Sequence, residues 1–254
     1  MLAVLSPAKK LDFSPVAEDI IGTLPEFQED AGKLARAASR LTISDLRSLM
    51  GISQDIARLN KARFRDFADL PDAQNSKQAL LAFAGGTYTG LQAARFTADD
   101  RAYAQNHLRI LSGLYGLLRP LDRIQPYRLE MGSRLKTRNG PHLYAYWGAR
   151  LAEALDTAAD GAPVVCLASQ EYFKAANEAR MTSPVIHVAF KEERNKKLSM
   201  ISFFAKRARG AMARYIITER VDQAEGLKDF DRDGYRFRKN LSEHNRLVFS
   251  RAAS

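Results

Sequence analysis

The stretch "SDLRSLMGISQDIARLN", Ser44 to Asn60, has the residue types of a small phosphate-holding device. Ser44 can cap a helix whose Leu46, Leu49 and Met50 share one apolar face, and Gly51 supplies the left-handed conformation that commonly ends a helix. Ser53 can cap a second helix, with Ile56, Ala57 and Leu59 facing inward. Unpaired N–H groups at a helix start, aided by the helix dipole, seat anions well. Gly51, Ile52 and Ser53 are therefore candidates to offer N–H groups to a phosphate, with Arg58, Lys61 and Arg63 as neutralising cations. Asp55, in the same first turn, opposes that role, and two capped helices packed together for stability are the competing explanation.

A second candidate is "SFFAKRARGAMARYIITER". At helical spacing Phe204, Ala208, Ala211, Met212 and Tyr215 gather on one side. Lys206, Arg207, Arg209, Arg214 and Arg220 gather on the other, with Glu219 as the acidic residue among them. Solubility alone usually mixes the signs on a helix face, so a one-sign face suggests a polyanionic partner.

The third candidate is a set of loops expected at strand ends: "SPAKK", "GGTYTG", "LYGLLRP…YRLEMG" and "SQEYFK". Ligands in α/β folds bind beyond the carboxyl ends of strands, so Lys9, Lys10, Asp12, Tyr115, Arg119, Arg128, Glu130 and Glu171 could converge there. A lysine beside a carboxylate (Asp12, Glu130 or Glu171) could support Schiff-base or general acid–base chemistry on damaged DNA or a small anion. An ion-paired network that merely ties the loops together is the alternative. "GGTYTG" lacks the Lys-Ser/Thr ending of a phosphate loop, and no Gly-x-Ser-x-Gly elbow occurs. His107, His142, His187 and His244 are widely spaced and Cys166 is the single cysteine, so neither a metal site nor another cofactor is expected.

The elements needed to hold these groups follow from apolar periodicity. "LAVLS", "ALLAFAGG", "LRILSG" and "PVVCLAS" are short apolar runs expected as buried strands, and "SPVIHVAFKEERNKKLSMIS" as two strands around a polar turn. "YRF" and "RLVFSR" are short strand candidates near the end of the sequence. Helices are expected after Thr23, with Pro25 and Glu26 in the first turn, after Thr97, over about 143–158, in "QEYFKAANEA" and in the basic segment. The alternation predicts one α/β domain over 1–254, with a mixed sheet flanked by helices. A mostly helical insertion over about 20–77 would carry the hairpin at 44–60.

Composition narrows the class. The 254 residues carry a net charge of +10, and no run approaches the length of a membrane span. The N-terminal stretch does not fit a secretory signal, and one cysteine suits a reducing cytoplasm. From 191 to 220 nine basic residues face three glutamates, and from 44 to 65 five face two aspartates, so the excess is clustered.

Six segments, "SPAKKLDF", "LSGLYGLLRPLD", "PYRLEMG", "LASQEYFKA", "FKEERN" and "ISFFAKRARGAMARYI", resemble the peroxide-stress-resistance YaaA family from Ser6 to the last strand. The resemblance implies a bacterial cytoplasmic protein of the hydrogen peroxide response that protects DNA and proteins by keeping free iron low. It further implies DNA binding, double-stranded or structured, through a helix-hairpin-helix element in a positively charged cleft of an unusual α/β fold. The family's hairpin is apolar–Gly–apolar–Gly. Gly51 and Ile52 match, while Ser53 stands where the second glycine lies. Lys9 and Lys10 are outlying candidates for phosphate contact. The expected molecular activity is phosphate-directed DNA binding without strong sequence preference, with iron limitation indirect.

Overall fold

The computed structural model describes residues 1–16, 20–195 and 197–252, so Lys196 of the basic cluster lies outside the described residues. Eight strands form the main sheet: β1 (Leu2–Leu5), β2 (Leu108–Ser112), β3 (Gly116–Leu118), β4 (Val164–Cys166), β5 (Val185–Arg194), β6 (Lys197–Ser199), β7 (Arg236–Phe237) and β8 (Arg246–Ala252). Their order is β7-β8-β5-β4-β1-β2-β3, with β6 paired to the far end of β5. The five strands from β8 to β2 run parallel, while β3, β6 and β7 pair antiparallel to their neighbours. The sheet is mixed, as expected. Every residue of β1 is buried, which explains its continuous apolar run.

The principal helices are α1 (Gln28–Ser39), α2 (Ile43–Met50), α3 (Gln54–Arg65), α4 (Gly86–Leu91), α5 (Ala98–His107), α6 (Arg150–Ala159) and α7 (Ser202–Thr218). Helices α1 to α3 form the helical part of the early insertion and pack on one another. The first starts later than expected: Pro25 to Phe27 form a turn, and Thr23 instead hydrogen-bonds Asp122. Helix α2 is capped by Thr42, not Ser44, through a reciprocal pair in which Asp45 N–H donates to the Thr42 hydroxyl and Thr42 N–H to the Asp45 carboxylate.

Three segments depart from the elements expected of them. "ALLAFAGG" is a short helix, Ala79–Ala82, followed by the two-residue strand Phe83–Ala84, which pairs with Lys10–Leu11. A short buried run does not distinguish strand from helix, and Ala-Leu-Leu-Ala favours the helix. The expected helix over 143–158 is broken at Gly148, whose φ is +56°, into Leu143–Trp147 and α6. "QEYFKAANEA" likewise gives only Gln170–Phe173 and two 3-10 turns around Asn177 at φ +50°.

Helix α7 lies against β1 and β5 and is covered from outside by α4. Two glycines allow that crossing. A Cβ on Gly210 would sit 1.7 Å from the Thr87 carbonyl oxygen, and one on Gly90 would sit 2.0 Å from the Arg207 oxygen. The segment "GGTYTG" is thus a helix that packs, rather than an open loop.

Candidate nucleic-acid interface

The hairpin joins α2 to α3 through Gly51, Ile52 and Ser53. Gly51 adopts φ +60°, ψ +47°, the left-handed cap expected of it. Both its N–H and that of Ile52 donate to the Arg47 carbonyl, at 2.8 and 3.3 Å. These two donors are therefore engaged within the hairpin. Ser53 accepts from Ile56 N–H at 3.4 Å and caps α3 as anticipated. Within the hairpin, from Gly51 to Ala57, the N–H groups of Ser53, Gln54 and Asp55 have no protein acceptor among the described residues. The anion-facing donors thus lie at the start of α3, slightly later than the sequence suggested.

The hairpin cations divide. Arg58 is exposed and sits 3.6 Å from Asp55, a weak surface pair. Lys61 turns inward, its ammonium donating to the Ser39 and Leu41 carbonyls at 2.6 Å each, so it closes the carboxyl end of α1. Arg63 is half-buried beside Leu59 and Asp66 in a cavity of about 770 Å³, and burial lowers its pKa. Ala57 and Leu46 are fully buried, but Ile56 and Leu59, expected inward, are 38% and 50% exposed. Helix α3 packs on α1 and α2, and its buried positions are Ala57, Asn60 and Phe64.

A basic groove lies next to the hairpin. Lys33 and Arg36 on α1 and Arg40 at its C-cap, at i, i+3 and i+7, face Lys136 and Arg138 from the 134–140 loop, and the space between them is about 670 Å³. Tyr146 forms part of the wall, and no carboxylate belongs to the lining. Lys33 pairs with Glu29 and Arg36 with Asp69, whereas no ion pair among the described residues engages Arg40, Lys136 or Arg138. Arg40 lies two residues before the Thr42 cap, so groove and hairpin are continuous along the chain. The i, i+3, i+7 spacing and the alternating "RLKTRNG" were available in the sequence, but nothing in it shows that residues a hundred positions apart meet.

Helix α7 does not present one basic face. Lys206 is exposed. Arg207 is fastened to Asp233 at 2.9 Å. Arg214 donates to the Gln92 carbonyl at 3.2 Å and lies over the Phe96 ring. Arg220 pairs with Asp100 at 2.9 Å and lies over the Tyr103 ring. Arg209 points to yet another side, into a cavity beside Cys166. On the expected apolar side Ala208, Ala211 and Met212 are buried, while Phe204 and Tyr215 are only half-buried. Contact with the sheet on one side and α4 on the other leaves the cations to escape in several directions.

Part of the strand-end cluster assembles. Strand β1 has β2 on one side and β4 on the other, so the crevice beyond its carboxyl end is a topological switch point. There Glu130 Oε1 is 3.3 Å from Lys9 Nζ and 3.0 Å from Arg128, while Glu130 Oε2 is buried without a hydrogen-bond partner. Glu171 accepts from Gly132 N–H at 3.0 Å. The remaining members go elsewhere. Lys10 is exposed, Asp12 faces Ser14 and Lys77, Arg119 holds Asp122, and Tyr115 is a core residue accepting from Gln125 N–H.

Among the described residues no group of three or more His, Cys, Asp or Glu side chains is arranged to hold a metal ion. Nor is any helix long and apolar enough to cross a membrane.

Known proteins provide the context for these surfaces. A family model described as peroxide stress protein YaaA matches residues 1–241. A UPF0246 protein of Ruegeria pomeroyi is 52% identical over 254 residues, covering 99% of this chain and 98% of its own. Others from Dinoroseobacter shibae, at 52%, and Caulobacter vibrioides, at 48%, cover 95% and 99% of their own lengths and 99% of this chain. With identity sustained from end to end and the family model spanning most of the sequence, the chain belongs to the peroxide stress protein YaaA family, which ties it to the peroxide stress response.

Proposed function

We propose that the protein binds DNA, double-stranded or structured, by neutralising backbone phosphates with the groove between α1 and the 134–140 loop and with the adjoining hairpin. The observation that carries this reading is the groove lining: five cations and no carboxylate, next to a helix start with open N–H groups. Phosphates need only positive charge and donors at intervals, so such a surface grips many sequences alike. Arg58 and the open N–H groups at Ser53 to Asp55 extend the grip beyond the groove. Lys206, Arg207, Arg209 and Arg214 are secondary, since three of the four are engaged or turned into a cavity. DNA binding acts in the cytoplasm and shields the duplex during peroxide stress, and the lowering of free iron follows indirectly.

Binding of a DNA duplex measured across a salt series tests the reading. If about six phosphates are neutralised, affinity falls on the order of a thousandfold between about 50 and about 200 mM salt. A flat response refutes phosphate-directed binding.

A second reading has one specific observation behind it, the Lys9–Glu130–Arg128 cluster at the switch point with a buried carboxylate oxygen unpartnered. There the Lys9 amine would add to the aldehyde of an abasic site and expel water to give a Schiff base. Borohydride reduction of that imine should leave a covalent protein–DNA adduct. An adduct formed equally by Lys9→Arg would exclude Lys9 as the nucleophile.

A further inference from the structure

Arg209 is the unusual cation of α7. It is half-buried, and among the described residues no ion pair, hydrogen bond or ring contact engages it, whereas Arg207, Arg214 and Arg220 on the same segment all have partners. Burial lowers its pKa, and the one charged state that would favour it is a Cys166 thiolate. Burial pushes the Cys166 thiol up to about 12, so at neutral pH that sulfur is uncharged and cannot serve as the counter-ion. A guanidinium with five N–H donors, drawn out of water and left unmatched, is a poor way to stabilise a fold. It is a suitable way to hold an anion.

The space in front of Arg209 has the size and lining for one. A cavity of about 780 Å³ opens beyond Cys166, the last residue of β4, where β5 continues alongside. This is again the carboxyl end of a parallel strand, on the other side of β4 from the Lys9 crevice. Lys174 and Arg246 add positive charge at its edge. Of the two carboxylates in the lining, Glu178 is occupied by His187, whose Nε2 lies 3.0 Å from both of its oxygens. The other, Glu243, belongs to the turn that pairs its own backbone with Arg246. Phe173 and Met200 supply apolar wall.

We infer that this cavity binds a small phosphate-bearing organic molecule, with its oxyanion on Arg209 and its body against Phe173 and Met200. The site is separate from the proposed DNA groove and shares no lining residue with it. Its occupancy would give a protein of the peroxide response a means of sensing a soluble metabolite.

Calorimetric titration of the full chain with adenosine 5′-monophosphate, and separately with inorganic phosphate, tests the inference at constant ionic strength. One nucleotide should bind per chain, at least about tenfold more tightly than phosphate, which corresponds to about 1.4 kcal/mol. Arg209→Gln should weaken the nucleotide at least about tenfold, and the exposed Lys239→Gln should leave it unchanged. Should Arg209→Gln fail to fold, Lys174→Glu, a surface change at the cavity edge, must show the same weakening. Absence of nucleotide binding at millimolar concentration, affinity equal to that of phosphate, or wild-type affinity in a folded Arg209→Gln would each overturn the proposal.

Discussion

Lys61 shows how far a residue's chemistry depends on where its neighbours end up. Its type and spacing on α3 suited a phosphate contact, yet its ammonium closes the end of α1 through carbonyls 20 and 22 positions away. No local pattern in the sequence reveals such acceptors. Lys61→Met should therefore lower unfolding free energy by about 1–2 kcal/mol, because two backbone carbonyls lose a charged donor. Arg58→Ala, on the exposed side of the same helix, should change stability by less than about 0.5 kcal/mol. Urea unfolding of the two variants separates these roles, and equal effects would contradict them. Asp45 adds a pH dependence at the same scale. Hydrogen bonds from the Thr42 side chain and backbone hold its carboxyl below the usual range. A carboxylate with a lowered folded pKa contributes fully above its unfolded value, near 3.9, and the contribution disappears as pH falls through the folded value. The stability gap between wild type and Asp45→Ala should accordingly be present at neutral pH and close under acid. A gap that widened in acid would contradict the cap.

At the scale of elements, the α4–α7 crossing is the most constrained contact. Gly210 approaches the Thr87 carbonyl and Gly90 the Arg207 carbonyl so closely that a methyl group on either cannot fit without moving one helix. Gly210→Ala should cost about 3 kcal/mol or more, as overpacking against backbone does. Gly51→Ala meets no atom within 4 Å and carries only the left-handed φ, so its cost should be about 1–2 kcal/mol. Chemical unfolding ranks the two, and a Gly51→Ala loss larger than that of Gly210→Ala would overturn this assignment. Most of the parallel strands were legible because runs such as "LAVL" and "VVC" are buried on both faces. The role of "GGTYTG" was not, since its partner helix begins more than a hundred residues later. The hairpin was legible in outline from Gly51 and Ser53. Its donors shifted because the Arg47 carbonyl claims the first two N–H groups.

Over the whole molecule, a net charge of +10 says that polyanions are attracted but not where they settle. The clustering along the sequence pointed at α7, yet the fold scatters its cations onto Asp233, Gln92, Asp100 and a cavity. The denser surface arises where α1 meets the 134–140 loop, two segments whose charges look ordinary when read separately. This is why the candidate interface was only half visible from residue types. Phosphate-directed binding through the groove is tested by the salt dependence of DNA affinity in wild type, Arg40→Ala/Arg138→Ala and Arg207→Ala/Arg214→Ala. A steep wild-type dependence is expected, with a slope reduced by about 2 in the groove variant and a smaller change in the helix variant. An unchanged slope in the groove variant, with the whole loss in the helix variant, would contradict it.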